Sequence, residues 1–208
     1  MYLILTVLAV FIILLANEIL WRKKSVHGEF SRKFVHLTVG TFVAFWPYYL
    51  SWNQIRLIGL AFFIVVVISK YLNIFSAIHS VQRPTWGEAF FALAVILITY
   101  VTHSKAIYAA SLLQMSLADG LAAIVGIRYG GRYSYIVLNH TKSIIGTLTF
   151  FIVSVAVLLG FKHYAGSDIN TYSLLIISFI SSLLENLAIL GLDNLLVPLF
   201  VALMLTQH

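Results

Sequence analysis

Long apolar stretches separated by short polar segments run through the whole chain. Eight of them lie at about residues 2 to 21, 34 to 51, 55 to 73, 87 to 103, 106 to 127, 143 to 161, 172 to 190 and 194 to 206. Most are too long and too evenly apolar for β-strands, and the alternation typical of a lipid-facing barrel is missing. A membrane-spanning helix needs roughly 20 apolar residues. The pattern therefore predicts an all-α integral membrane protein with about eight transmembrane helices, seven to nine being possible.

Composition supports a membrane location. Of the 208 residues, 61% are apolar and 10% charged, and the mean hydropathy is +0.98, well above what a soluble core requires. The first stretch ends in Trp21-Arg22-Lys23-Lys24 with no basic residue before it, the reverse of a cleavable signal, so we expect a retained first helix. The connections leave no room for a soluble domain, and we expect residues 1–208 to form a single polytopic membrane domain.

The absence of cysteine excludes a disulfide framework, a thiolate metal site and a thiol nucleophile.

Basic residues are distributed unevenly among the connections between the predicted helices. Three of the thirteen lie in even-numbered connections. The ten in odd-numbered connections are Arg22, Lys23, Lys24, Arg32, Lys33, Lys70, Arg83, Arg128, Arg132 and Lys142. The positive-inside rule then places the odd connections in the cytoplasm and the amino terminus outside. Because basic residues commonly set orientation in membrane proteins, the net charge of +6 is no sign of a nucleic-acid partner.

Four carboxylates lie inside or at the edge of apolar stretches: Glu88, Asp119, Glu185 and Asp193. An ionisable group at membrane depth costs several kcal/mol, so it indicates function by default. Asp119 lies about 20 Å along a helix that begins outside. All four are thus predicted near the cytoplasmic face, where carboxylates and phosphates together bind Mg²⁺. For any single one, a structural ion pair or a headgroup-level position is the alternative.

A second cluster, Glu29, Arg32, Lys33, His36 and Gly40, falls on one helical face. Cations at this depth also act as anchors that reach lipid phosphates, and for Arg22 to Lys24 we favour that role. His36 lies within the apolar run, one turn beyond two cations. It is either a packing residue or part of a site.

Small residues line the end of the fifth predicted helix and the loop after it. Asp119, Ala122, Ala123 and Gly126 share a face, and Gly130-Gly131 follow. Together with nearby cations such a turn is suited to phosphates, although helix packing explains the alanines equally well. There is no P-loop motif, so phosphate chemistry here would not be that of a P-loop enzyme.

Four motif blocks resemble those of the phytol kinase and dolichol kinase family, in family order. They are Glu29-Phe-Ser-Arg32-Lys33-Phe-Val-His36, then Ala118-Asp119-Gly120 to Gly130, then Lys142-Ser143-Ile-Ile-Gly146-Thr147, then Glu185 with Gly191-Leu-Asp193-Asn194 to Pro198. The third block departs from the family, which often has an acidic residue where this chain has Ile144 and Ile145. The resemblance implies a membrane enzyme that transfers the γ-phosphate of CTP to an isoprenoid alcohol of the phytol, farnesol or polyprenol/dolichol type, with Mg²⁺, at the cytoplasmic face.

The resemblance also implies roles for individual residues. The expected Mg²⁺ ligands are Asp119, Glu185 and Asp193. The nucleotide is expected to contact Arg32, Lys33, Gly120, Arg128, Lys142, Ser143 and Asn194. Asp119, Glu88 and His36 are the candidate catalytic residues, of which Glu88 or His36 would accept the hydroxyl proton.

Two alternatives remain at this point. Phosphatidate cytidylyltransferases, which make CDP-lipids, are similar to this family, but their His-Gly-Gly signature with paired aspartates is not found here. A small proton- or cation-coupled transporter would place acids at the midplane and often has inverted repeats, whereas the acids lie toward one side and no repeat is visible. The sequence predicts neither the particular alcohol nor an oligomeric state.

Overall fold

The computed structural model describes residues 2–22, 28–72, 85–138 and 140–207. Within these ranges each predicted apolar stretch coincides with a helix. The helices are α1 (Tyr2–Arg22), α2 (Gly28–Ala44), α3 (Trp52–Leu72), α4 (Gly87–Val101), α5 (Lys105–Tyr129), α6 (Ile144–Ala165), α7 (Thr171–Leu187) and α8 (Asp193–Thr206). A 3₁₀ turn, Trp46–Tyr48, follows α2, and two short strands, β1 (Ser134–Val137) and β2 (His140–Ser143), lie between α5 and α6.

Polar side chains fix several helix ends. Ser104, Ser143 and Asn170 each accept a hydrogen bond from a backbone N–H in the first turn of α5, α6 and α7, respectively, as helix N-caps do. Gly166, with φ +60°, ends α6 in the left-handed conformation. The three caps therefore mark where α5, α6 and α7 begin, and Gly166 marks where α6 ends.

Among the described residues, four helices are long and apolar enough to cross a membrane: α1 over Tyr2–Ile19, α3, α5 and α6. The helices α4, α7 and α8 are apolar but shorter, and the first turns of α2 carry charged residues. Large apolar side chains are exposed along α1 and α3, which suits contact with lipid. The all-α membrane class therefore agrees with the structure, whereas the eight crossings and their orientation remain predictions.

The central element is α5. Its side chains Tyr108, Leu112 and Met115 are almost completely buried, and it packs against α2, α6 and α8. The connections gather at two ends of the bundle. At one end the 3₁₀ turn lies beside α5 and α6, since the ring of Tyr48 is 6.4 Å from that of Tyr164 and 5.8 Å from the Lys105 ammonium.

A π-helical segment, Gln114–Asp119, interrupts the α-helical pattern of α5. Wide turns of this kind are rare and are often found at functional sites. Here α2 approaches closely, because a Cβ added at Gly40 would lie 2.6 Å from Cβ of Ser116. The segment therefore fixes both the contact with α2 and the direction of Asp119.

A β-hairpin occupies the connection in which the sequence predicted only a loop with a glycine turn. Its strands are antiparallel, and Ser134 lies opposite Ser143 and Tyr135 opposite Lys142. Leu138 at its tip has φ +46°. Each strand has only four residues, too few for the apolar pattern used to detect membrane helices. The hairpin lies at the end of the bundle opposite the 3₁₀ turn.

Candidate active site

A cleft of about 660 Å³ opens where the start of α2, the end of α5, the hairpin and the α7–α8 connection meet. Its charged and hydroxyl lining is Lys33, Asp119, Lys142, Ser143, Glu185 and Asp193, together with Thr85, Ser134, His140, Thr141 and Thr147. Small residues supply much of the remaining wall. The cleft is thus a polar cavity at one end of an apolar bundle.

An ion pair lies at the inner wall of the cleft. Nζ of Lys33 donates a hydrogen bond of 2.5 Å to Oδ2 of Asp119, and both residues are at most 5% exposed. Nε2 of His36 is 3.7 Å from the same oxygen. Since a buried charge is costly without a partner, each member of this pair makes the burial of the other tolerable.

A second ion pair joins the hairpin to α7. Nζ of Lys142 donates to Oε1 of Glu185 and, at 3.1 Å, to the backbone oxygen of that residue. Burial alone would lower the pKa of Lys142, but the carboxylates of Glu185, Asp119 and Asp193 outweigh it and raise the pKa above 10.5. The ammonium is therefore charged throughout the physiological pH range.

Glycines bring the end of α5 against the first turn of α6. A Cβ at Gly146 would lie 3.1 Å from the oxygen of Ala122 and 3.4 Å from Cα of Gly126. The first turn of α6, capped by Ser143, can thus line the cleft directly. The amino terminus of a 22-residue helix carries partial positive charge, so this wall attracts anions.

The α7–α8 connection fixes the opposite rim. Gly191 has φ +87°, and a Cβ there would lie 2.6 Å from N and Cα of Gly87. The N–H of Trp86 donates a 2.9 Å hydrogen bond to the oxygen of Leu190. Only glycine fits this close approach, which holds Asp193 at the edge of the cleft.

Six of the residues predicted for the site line the cleft: Lys33, Asp119, Lys142, Ser143, Glu185 and Asp193. Three of the expected nucleotide contacts lie elsewhere. Gly120 packs against Leu37, and Arg128 is exposed beside the ring of Tyr129. Asn194 is buried, and its side-chain oxygen has no hydrogen-bond partner among the described residues. The side chain of Arg32 lies outside the described part of the chain.

The predicted proton acceptors, Glu88 and His36, line a separate cavity of about 30 Å³ with apolar neighbours. His36 still reaches the cleft indirectly through Asp119. Glu88 lies in the first turn of α4 and does not line the cleft. The catalytic roles of both residues remain predictions.

The acidic residues do not form a ready-made metal centre. Over the described ranges, no three Asp, Glu or His side chains are grouped closely enough to hold an ion. Mg²⁺ at nucleotide sites, however, uses one or two carboxylates and takes its other ligands from phosphates and water. The donor set Asp119, Glu185 and Asp193, spread around one cleft, fits an ion that arrives with a nucleotide.

Several polar residues at this end of the bundle were not predicted from the sequence. Tyr135, Thr147 and Asn186 form a hydrogen-bonded group beneath the hairpin, and His140 lines the cleft. Glu18, a carboxylate within the first apolar stretch, is 7% exposed. A weak signal for the hairpin was present, since Tyr135-Ile136-Val137 is a run of aromatic and β-branched residues, which favour strands. Glu18 was detectable by the same argument applied to the other four acids.

The chain is similar to two phytol kinases. It is 34% identical over 200 residues to a phytol kinase of Synechocystis sp., which covers 92% of this chain and 84% of the relative. It is 29% identical over 208 residues to the probable chloroplastic phytol kinase 1 of Glycine max, which covers 88% and 68%. No family model and no solved structure matches the chain. The resemblance inferred from the four motif blocks is confirmed, and the chain belongs to the phytol kinase family.

Proposed function

We propose that this protein is a membrane lipid-alcohol kinase that transfers the γ-phosphate of CTP to an isoprenoid alcohol such as phytol. The observation that carries the proposal is the cleft itself, with two lysine–carboxylate pairs and a helix amino terminus around a wall of small residues. Phosphoryl transfer depends mainly on positioning and on neutralising charge. The names of the two relatives, both phytol kinases, supply the acceptor.

The charges of the cleft suit an anionic substrate that brings a cation. Without ligand, Lys33 pairs with Asp119 and Lys142 with Glu185. Nucleotide phosphates would attract both lysines, and the carboxylates would then be available to Mg²⁺, which neutralises charge on the phosphates when bound. Asp193 at the rim and the first turn of α6 complete the set. Ser143 contributes by shaping that turn.

The alcohol would lie with its chain in the bilayer and its hydroxyl at the cleft. The hydroxyl oxygen bonds to the γ-phosphorus as the bond to the bridging β,γ-oxygen breaks, and the products are CDP and the alkyl phosphate. The hydroxyl proton passes to a carboxylate at the inner wall. We assign this role to Asp119, which lines the cleft and whose Oδ2 lies 3.7 Å from Nε2 of His36. A CDP-lipid synthase would instead release pyrophosphate, so analysis of the products separates the two reactions.

Replacing Lys142 with alanine is expected to raise KM for CTP about tenfold to a hundredfold, because a charged hydrogen bond contributes about 1.5–3 kcal/mol. KM for the alcohol should change little, since the apolar wall is retained. Steady-state kinetics with each substrate varied in turn measures both values.

Lys162→Ala is the matched control, since this lysine lies at the opposite end of α6, where its ammonium donates a 3.4 Å hydrogen bond to Oγ1 of Thr171. A rise in KM confined to the alcohol would place the nucleotide elsewhere. Excess ATP that replaces CTP as donor would contradict the choice of nucleotide.

We further propose that the cleft faces the cytoplasm, as the positive-inside rule predicts. Single cysteines at Ser134 in the hairpin and Asp168 at the opposite end are both introduced into a chain that has none. In intact cells an impermeant thiol reagent should label Asp168→Cys but not Ser134→Cys. After the membrane is permeabilised, Ser134→Cys should be labelled as well. Labelling of Ser134→Cys from outside would reverse the orientation. The predicted cytoplasmic loops near Ser25 and Ser80 lie outside the described residues.

A further inference from the structure

A compact hydrogen-bonded group fastens the hairpin to the helices beneath it. The hydroxyl of Tyr135, in β1, donates a 2.5 Å hydrogen bond to Oδ1 of Asn186 in α7 and lies 2.5 Å from Oγ1 of Thr147 in α6. Oγ1 of Thr147 also lies 3.2 Å from Oδ1 of Asn186. Each hydroxyl has one proton, so both protons are used when Thr147 donates to Tyr135 and Tyr135 donates to Asn186. One hydroxyl thus connects three elements that meet at the cleft.

The acceptor is itself held in place. Nδ2 of Asn186 donates a 2.8 Å hydrogen bond to the backbone oxygen of Ser182, one turn earlier in α7. The amide is therefore oriented with its oxygen toward the hairpin, and the residue is only 8% exposed. A fixed, buried acceptor selects one position for the tyrosine hydroxyl.

The position of Tyr135 in the hairpin gives this bond its importance. Tyr135 lies directly opposite Lys142 in the antiparallel register. Lys142 pairs with Glu185, and Tyr135 bonds to Asn186, the next residue of α7. The hydrogen bond of Tyr135 and the ion pair of Lys142 are therefore neighbours, both on the hairpin and on α7. When a ligand draws Lys142 away from Glu185, the Tyr135 attachment remains.

We propose that Tyr135 is a positioning residue, which holds the hairpin in place through its contacts with Asn186 and Thr147. Lys142 then stays at the cleft while its ammonium changes partner from Glu185 to a nucleotide phosphate. This inference rests on the proposed function, since it assigns Lys142 to the nucleotide. Tyr135 itself touches neither substrate in this account. Its contribution is to reduce the conformational entropy that the hairpin loses when the nucleotide binds.

Tyr135→Phe removes the hydroxyl and keeps the ring. KM for CTP should rise about fivefold to tenfold, the effect expected for the loss of one hydrogen bond. The values of kcat at saturation and of KM for the alcohol should stay within twofold. Tyr133→Phe is the matched control, because that tyrosine precedes β1 and its side chain is 58% exposed. A rise in KM for CTP equal in both variants contradicts the proposal.

A double-mutant cycle with Lys142→Ala tests whether Tyr135 acts through that lysine. Once Lys142 is alanine, Tyr135→Phe should cause no further rise in KM for CTP, because the group it positions is gone. Independent rises that multiply would show that Tyr135 does not act through Lys142.

Amide hydrogen exchange of residues 134–143 supplies a readout that needs no turnover. Exchange should be faster in Tyr135→Phe than in wild type or Tyr133→Phe, and CTP should slow it in the wild type. Unchanged exchange contradicts the anchoring role of Tyr135. Faster exchange in Tyr135→Phe, with no effect of CTP on the wild-type hairpin, would support the anchoring role of Tyr135 and contradict the placement of the nucleotide. The failure of this inference and the failure of the proposed function are thus distinguishable.

Discussion

Asp119→Asn is expected to lower kcat about 10³-fold or more, because it removes a charge that both the metal and the acceptor hydroxyl require, and such charges contribute several kcal/mol at a phosphoryl-transfer site. The substitution also leaves Lys33 buried without its partner. Breaking a buried pair on one side costs about 3–5 kcal/mol, so the variant should also unfold at lower temperature in detergent. Activity is therefore measured per folded molecule.

A double variant separates catalysis from stability. Lys33→Met with Asp119→Leu replaces the pair by apolar side chains of similar size, which is often neutral for stability. The double variant should regain the thermal stability that Asp119→Asn loses and yet remain inactive. Recovery of turnover along with stability would mean that the pair is only structural.

Gly130→Ala should strongly destabilise the cleft wall. The new Cβ would lie 2.3 Å from the oxygen of Gly126 and 2.4 Å from Cβ of Ser143. It would collide with the backbone at the end of α5 and with the residue that caps α6. Overpacking of this kind costs about 3 kcal/mol, equivalent to a fall in Tm of about 6–12 °C.

The neighbouring glycine provides the control for this effect. A Cβ at Gly131 meets nothing within 4 Å, so Gly131→Ala should leave Tm nearly unchanged. Differential scanning fluorimetry of the two variants in the same detergent compares them directly. Equal falls in Tm would show that the turn, and not the close packing of Gly130, requires glycine.

The helices were predictable from sequence because membrane burial demands long runs of apolar residues, which any local pattern search detects. The convergence of Asp119, Glu185 and Asp193 on one end followed from counting helix lengths and crossings. The hairpin was not predictable in this way, since its four-residue strands are too short to form a pattern and their sequences do not alternate in polarity.

The two ion pairs of the cleft could not be predicted from the sequence either. Lys33 and Asp119 are 86 positions apart and Lys142 and Glu185 are 43 apart, so their contacts depend on how helices pack. The sequence predicted that the carboxylates lie toward one face but did not predict their lysine partners, Lys33 for Asp119 and Lys142 for Glu185.

The wide turn at Gln114–Asp119 amounts to one extra residue accommodated inside α5. Successive residues of an α-helix are rotated by about 100°, so removing one position before Asp119 would turn every later side chain of the helix by that angle. Asp119 would lose Lys33, and the glycine face that meets α6 would rotate toward another neighbour. The two halves of α5 are consequently out of phase with each other. The half before Gln114 is in register with the packing of the bundle, and the half after Asp119 is in register with the cleft.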